Sequence, residues 1–165
     1  MTMSIDATHD PSLQSWVSSA NAPDGDFPIQ NLPFGRFRRA GFGEAWRIGV
    51  AIGDLILDLR HAAERGSWTP EVAQALQALA EGDLNRHMAL PSASRLRVRA
   101  TLSSALQLDS ARQSSLSSCL LAQSAAQMAV PCAIGDYIDF YTGIHHATTA
   151  AARRSSSAAS RSGAQ

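Results

Sequence analysis

Trp46-Arg47-Ile48-Gly49-Val50-Ala51-Ile52-Gly53-Asp54-Leu55-Ile56-Leu57-Asp58-Leu59 is the most regular stretch of this 165-residue chain. Trp46, Ile48, Val50 and Ile52 alternate with Arg47, Gly49 and Ala51. Period-two alternation with β-branched residues predicts a strand with one buried face, because successive side chains point to opposite sides. Gly53-Asp54 fits a two-residue turn with positive φ at its first position, and Leu55 to Leu59 reads as the returning strand. Phe34 to Arg39 supplies a third strand, ahead of the loop Ala40 to Glu44. Three short strands between Phe34 and Leu59 predict a small β-barrel or curled sheet.

Upstream, residues 1–14 are polar and unpatterned and are expected to be a mobile end. Ser15 to Asn31 is turn-rich, most clearly at Asn21-Ala22-Pro23-Asp24-Gly25-Asp26. Phe27-Pro28-Ile29-Gln30-Asn31-Leu32-Pro33-Phe34-Gly35 reads as an extended segment pressed on a core, since each proline pushes its predecessor out of the helical region. Downstream, Thr69 can cap a helix with Pro70 in its first position; Val72, Leu76 and Leu79 share a face, and Gly82 stops the run. A second helix is expected from Ser94, with Val98, Leu102, Ala105 and Leu106 on one side. Asp109 or Ser110 caps a third helical segment carrying Leu116, Leu120 and Leu121. The fold class is therefore α+β: a barrel-bearing domain over 15–130, then a helical segment over 131–149. Residues 150–165 contain no large apolar side chain, cannot offset their ordering entropy, and are expected to be disordered. No internal repeat is visible.

Charge narrows the function classes. Fourteen basic residues balance fourteen acidic ones. A neutral chain lacks the cationic surface of a nucleic-acid binder or a polybasic membrane protein. No apolar run approaches the roughly 20 residues of a membrane helix, and Met1 to Pro11 carries no secretory pattern. Cys119 and Cys132 are too few for a disulfide framework, so a cytoplasmic protein with reduced thiols is expected. All fourteen basic residues are Arg, which reads as the coding bias of a GC-rich gene.

The chemistry concentrates in Ile134-Gly135-Asp136-Tyr137-Ile138-Asp139-Phe140-Tyr141-Thr142-Gly143-Ile144-His145-His146-Ala147-Thr148-Thr149. On a helix, Asp136, Asp139, Gly143 and His146 fall at i, i+3, i+7 and i+10 and share one face, with Asp139 and His146 about 10 Å apart along the axis. A carboxylate that holds a metal and an imidazole that takes a proton from water could bracket a small substrate, with Gly143 leaving space between. On spacing alone, a lone Asp and His on a helix are more often solvent-facing groups or helix-end caps. Joint ligation of one ion by His145 and His146 is disfavoured, because adjacent helical residues point about 100° apart. Tyr137 and Tyr141, four apart, read as a packing pair more than as a substrate clamp.

This segment resembles the signature of the fumarylacetoacetase family at Ile134, Gly135, Asp136, Tyr137, Asp139, Phe140, Tyr141, His146, Ala147 and Thr148. It departs at Ile138, where the family has Thr. Asp26 to Gly35, Arg47 to Asp54 and Ile56 to Leu59 are similar to the family's N-terminal domain in the same order, so the likeness covers about Ser15 to Thr149. The resemblance implies an SH3-like β-barrel with accompanying helices. It implies hydrolysis of 4-fumarylacetoacetate to fumarate and acetoacetate, the last step of tyrosine and phenylalanine breakdown. It also implies a Ca²⁺ or Mg²⁺ ion and a homodimer formed through a C-terminal domain. Carried over by position, Asp139 is a metal ligand, Tyr141 contacts substrate, and His146 activates the attacking water. The position of the family's substrate-binding Arg is Ser155, with Arg153 and Arg154 out of register. The likeness stops at Thr149, and the Ala/Arg/Ser-rich tail reads as out-of-frame translation. The expectation is a truncated fumarylacetoacetase without activity on its own; the alternative is a stand-alone SH3-like binding or assembly module.

Overall fold

The structure is a computed structural model that describes residues 5–79, 81–136, 138, 143–149 and 152. The chain divides into two compact units, Met1–Ala133 and Ile134–Gln165.

The first unit is built on five strands: β1 (Phe34–Arg39), β2 (Arg47–Ile52), β3 (Leu55–Asp58), β4 (Leu120–Ala122) and β5 (Ala126–Ala129). Their order in the sheet is β4-β3-β2-β1-β5, with every neighbouring pair antiparallel. The β2–β3 hairpin turns at Gly53, whose φ is +56°. A side chain there would meet Ser19 and the backbone of Ala20, and the Gly53 amide donates to the Phe27 carbonyl at 2.7 Å. Glycine thus serves both the turn geometry and the close approach of the preceding loop.

Five helices lie between β3 and β4: α1 (Leu59–Arg65), α2 (Pro70–Gln77), α3 (Asn85–Met88), α4 (Ser92–Leu106) and α5 (Gln113–Leu116). Ile48, Val50, Ile52 and Leu57 bury one face of the sheet in the same cluster as Val72 and Leu76 of α2 and Val98 and Leu102 of α4. Pro70 occupies the first turn of α2 as its fixed φ favours. The helix ends at Gln77, and Gly82 adopts φ +77° just beyond. α4 begins two residues earlier than Ser94, directly after Pro91.

Three expectations are corrected. β2 is buried on both faces, not one: Arg47 and Gly49 are buried along with Ile48 and Val50. The sheet curls, so that its second face closes over Phe37, which has no exposed surface. At Gly49 an added Cβ would meet Ile56, and would lie 2.7 Å from Phe37 Cε1 and 2.9 Å from the Leu57 carbonyl. This concave side encloses a space of about 330 Å³ lined by Phe27, Phe34, Phe37, Ile56 and Met128.

The third helical segment is also corrected. Only Gln113–Leu116 is α-helical, followed by a 3₁₀ turn, and Leu120 and Leu121 lie on β4. Leu120 stands opposite Leu57, and Arg36 to Arg39 of β1 pair with β5. The Ser/Ala/Gln-rich text has weak preferences of its own, and the free edges of β3 and β1 offer hydrogen bonds that decide its conformation.

The N-terminal residues differ too. Asp6 caps a 3₁₀ turn at Ala7–His9, and Thr8 is buried. Arg99 of α4 donates to Thr8 Oγ1 at 3.0 Å and to the Gln30 carbonyl at 2.6 Å. The Trp16 amide donates to the Leu106 carbonyl. Residues 5–14, expected to be mobile, are thus tied to the helical layer.

In the second unit, residues 144–149 are helical, whereas 134–136 and 138 are not. Of the tail 150–165, expected to be disordered, only residue 152 lies among the described residues. Among the described residues no helix is long and apolar enough to cross a membrane.

Candidate active site

The candidate residues belong to the second unit. The helical turn starts as the Ala147 amide donates to the Gly143 carbonyl at 3.1 Å. Thr148 Oγ1 donates to the Ile144 carbonyl at 2.8 Å and Thr149 Oγ1 to the His145 carbonyl at 2.9 Å. These back-bonds occupy both hydroxyls on the helix itself. His146 sits on this turn with an exposed side chain, beside an equally exposed His145. Adjacent positions on a helix diverge by about 100°, so the pair does not aim at one point.

Asp139 and Tyr141 lie outside the described residues. Asp136 is described, exposed and non-helical. The continuous helix that would set Asp136, Asp139, Gly143 and His146 on one face is therefore not formed. The reason is local: Ile134 to Asp136 precede the first helical turn and carry no hydrophobic face of helical period. Among the described residues no three His, Cys, Asp or Glu side chains come together to hold a metal ion. The described residues alone do not fit a hard cation that takes six oxygen ligands or more.

The first unit contains a buried histidine and a buried thiol whose titration is shifted. His87 is buried against the Phe34 ring, with centroids 5.1 Å apart. Burial, helped by the nearby Arg95 charge, holds its pKa below the ordinary 6.5. Burial pushes the Cys119 thiol above its ordinary value. That keeps it protonated and makes it a core residue, not a nucleophile.

Sequence reading missed one polar cluster altogether. Arg47 Nε lies 3.3 Å from Asp58 Oδ2, and its Nη2 donates to Glu44 Oε2 at 2.6 Å. His61 Nδ1 is 3.3 Å from the same Asp58 oxygen. Asp58 Oδ1 accepts the amides of Arg60 and His61, capping α1. The Arg47 guanidinium also rests over the Phe37 ring at 5.4 Å. An aspartate immediately before an apolar-periodic run was the available signal for the cap. This cluster joins sheet to helix; its acidic oxygens are consumed by the cap and the ion pair.

The family profile for the N-terminal domain of fumarylacetoacetase matches residues 30–131. The chain is 43% identical over 140 residues to fumarylacetoacetase of Caenorhabditis elegans, a match covering 82% of this chain and 32% of that protein. It is 36% identical over 141 residues to the Oryza sativa fumarylacetoacetase, again 82% of this chain and 32% of the relative. With the human fumarylacetoacetase, identity is 39% over 131 residues, or 77% of this chain and 31% of the relative. The chain thus spans about a third of the length of the curated relatives it matches. With a curled antiparallel sheet, a helical layer and a match across both, the chain belongs to the fumarylacetoacetase family, in the part that forms its N-terminal domain.

Proposed function

We propose that this chain is the N-terminal portion of an enzyme that hydrolyses the carbon–carbon bond of 4-fumarylacetoacetate to fumarate and acetoacetate. The observation that carries the reading is the family match over residues 30–131; the signature resemblance at Asp136, Asp139, Tyr141 and His146 lies beyond that match. In this reading the curled sheet is an SH3-like barrel. Its strand order and the single 3₁₀ turn (Gln123–Ala125) joining β4 to β5 support that description.

His146 takes the proton from the attacking water, Tyr141 contacts substrate, and Asp139 supplies one oxygen ligand to Ca²⁺ or Mg²⁺. The cation, when bound, stabilises the negative charge that develops on the substrate's carbonyl oxygens. Its other ligands come from outside the described residues. A single carboxylate holds such a cation weakly, so the 165-residue chain is expected to show no turnover by itself. A cytoplasmic homodimer is part of the same reading.

The test is a chimera in which residues 1–149 replace the matching third of a fumarylacetoacetase. Loss of the substrate's absorbance is followed with Ca²⁺ or Mg²⁺ present. Restored turnover, abolished by His146→Ala and by Asp139→Asn, is the expected result. Turnover that survives His146→Ala overturns the assignment. The second reading, a non-catalytic binding or assembly module, is favoured if the folded chimera is inactive while the isolated chain captures a defined partner.

A further inference from the structure

We propose that Arg36, Arg38 and Trp46 form a binding site for a small oxyanion, a carboxylate or a phosphate, on the N-terminal domain. Residues 36 and 38 are two apart on β1 and project from the same side of the sheet. Their guanidinium carbons lie 5.3 and 4.4 Å from the centre of the Trp46 ring. Stacking on an aromatic face fixes the plane of a guanidinium and leaves its N–H groups pointing outward along that plane.

The platform is itself held in place. Gly82, in the left-handed region at φ +77°, presses on the Trp46 backbone so closely that a Cβ would overlap the Trp46 carbonyl. Arg38 Nε donates to Gln127 Oε1 at 2.9 Å, which sets the direction of its fork. Opposite Arg36 on β5 stands Ala129, too short to cover the guanidinium.

Two like charges on one ring call for a counter-charge. Arg47 and Arg86 each have a carboxylate within 2.6 Å. Among the described residues, neither Arg36 nor Arg38 forms an ion pair. Arg36 Nε is buried without a hydrogen-bond partner, as are Arg47 Nε, His87 Nδ1 and Ser103 Oγ, so it is closed to solvent and meets no ligand itself. The groups of Arg36 left to meet an acceptor from outside the chain are its two Nη atoms. Two fixed forks match the paired, in-plane oxygens of a carboxylate or phosphate. The site is independent of the signature segment and of the proposed reaction.

The test is calorimetric titration of the 165-residue chain at low ionic strength, with inorganic phosphate and with fumarate as separate probes. One-to-one saturable binding of either is expected. Tighter phosphate binding assigns the site to phosphoryl ligands, and tighter fumarate binding to carboxylates. Arg36→Gln and Arg38→Gln should each weaken binding roughly tenfold or more, with circular dichroism unchanged. Arg97→Gln, on an exposed position of α4, should leave it unaltered. If Arg36→Gln does not fold, Arg36→Lys keeps the charge without the fork and should still weaken binding. Absence of saturable binding up to about 10 mM of either anion, or equal weakening by Arg97→Gln, overturns the proposal.

Discussion

Asp58 closes the β3 strand and opens helix α1, and its second carboxylate oxygen lies 3.3 Å from the Nε of Arg47 on the neighbouring strand. Both side chains are almost fully enclosed. One carboxylate therefore caps a helix and neutralises a buried cation. Asp58→Asn preserves a capping oxygen and removes the charge. It is expected to destabilise the domain by about 3 kcal/mol, near the lower end for breaking a buried pair because Glu44 still faces Arg47. Asp58→Ala should cost about 1 kcal/mol more, through the lost cap. Urea unfolding of the two variants separates these contributions; equal losses would mean that the cap adds nothing.

Gly49 is where the curled sheet comes closest to itself. Gly49→Ala places a methyl against the Phe37 ring, the Ile56 side chain and the Leu57 carbonyl. Overpacking of this kind costs about 1–3 kcal/mol. Gly35→Ala on the adjacent strand meets only the terminal methyl of Met128, at 3.0 Å, which can move aside. Thermal unfolding should thus show a clear fall for Gly49→Ala and little change for Gly35→Ala.

His87 gives the fold an acid-sensitive element. Its folded-state pKa is held below 6.5, first by burial and then by the Arg95 charge. The unfolded chain consequently binds more protons than the folded one as pH falls from 6.5 towards that depressed value. Stability is full above 6.5, declines through this window, and levels off below it. His87→Phe should flatten the pH dependence of unfolding below pH 6.5. An unaltered slope would assign the acid sensitivity to other groups.

Arg99 holds the N-terminal turn through Thr8 and the Gln30 carbonyl. Arg99→Ala should speed amide hydrogen exchange around residues 7–9 and expose that segment to proteases. The sheet, which Arg99 does not touch, should keep its protection. Exchange unchanged at these residues would show that the turn is held by Asp6 and His9 alone.

The hairpin was legible because its signals are local: alternation at Ile48, Val50 and Ile52, and a glycine at the turn. The α2 start was legible for the same reason, at Thr69-Pro70. β4 and β5 were not. They are three and four residues long, and their hydrogen bonds go to strands far away in the chain, so Leu120-Leu121-Ala122 carries no periodicity to read. Burial of Arg47 was hidden because its partner Asp58 looks like an ordinary strand end until the sheet curls. At the candidate site, His146 was read from helical spacing and from a motif; the motif reading stands apart from the helix assumed through Asp136, which does not form.

β4 and β5, separated by a single 3₁₀ turn, grip opposite edges of the sheet. Because Leu120 lies beside Leu57, the entire helical excursion from Leu59 to Cys119 leaves and returns at almost the same point. Topologically it is an insertion with its two ends stapled together. Assembly of the outer strands must wait for that long loop to close, which raises the contact order and makes edge capture a late folding event. The same geometry marks the strand junctions after Asp58 and before Leu120 as the natural cut points for exchanging the helical layer without disturbing the sheet.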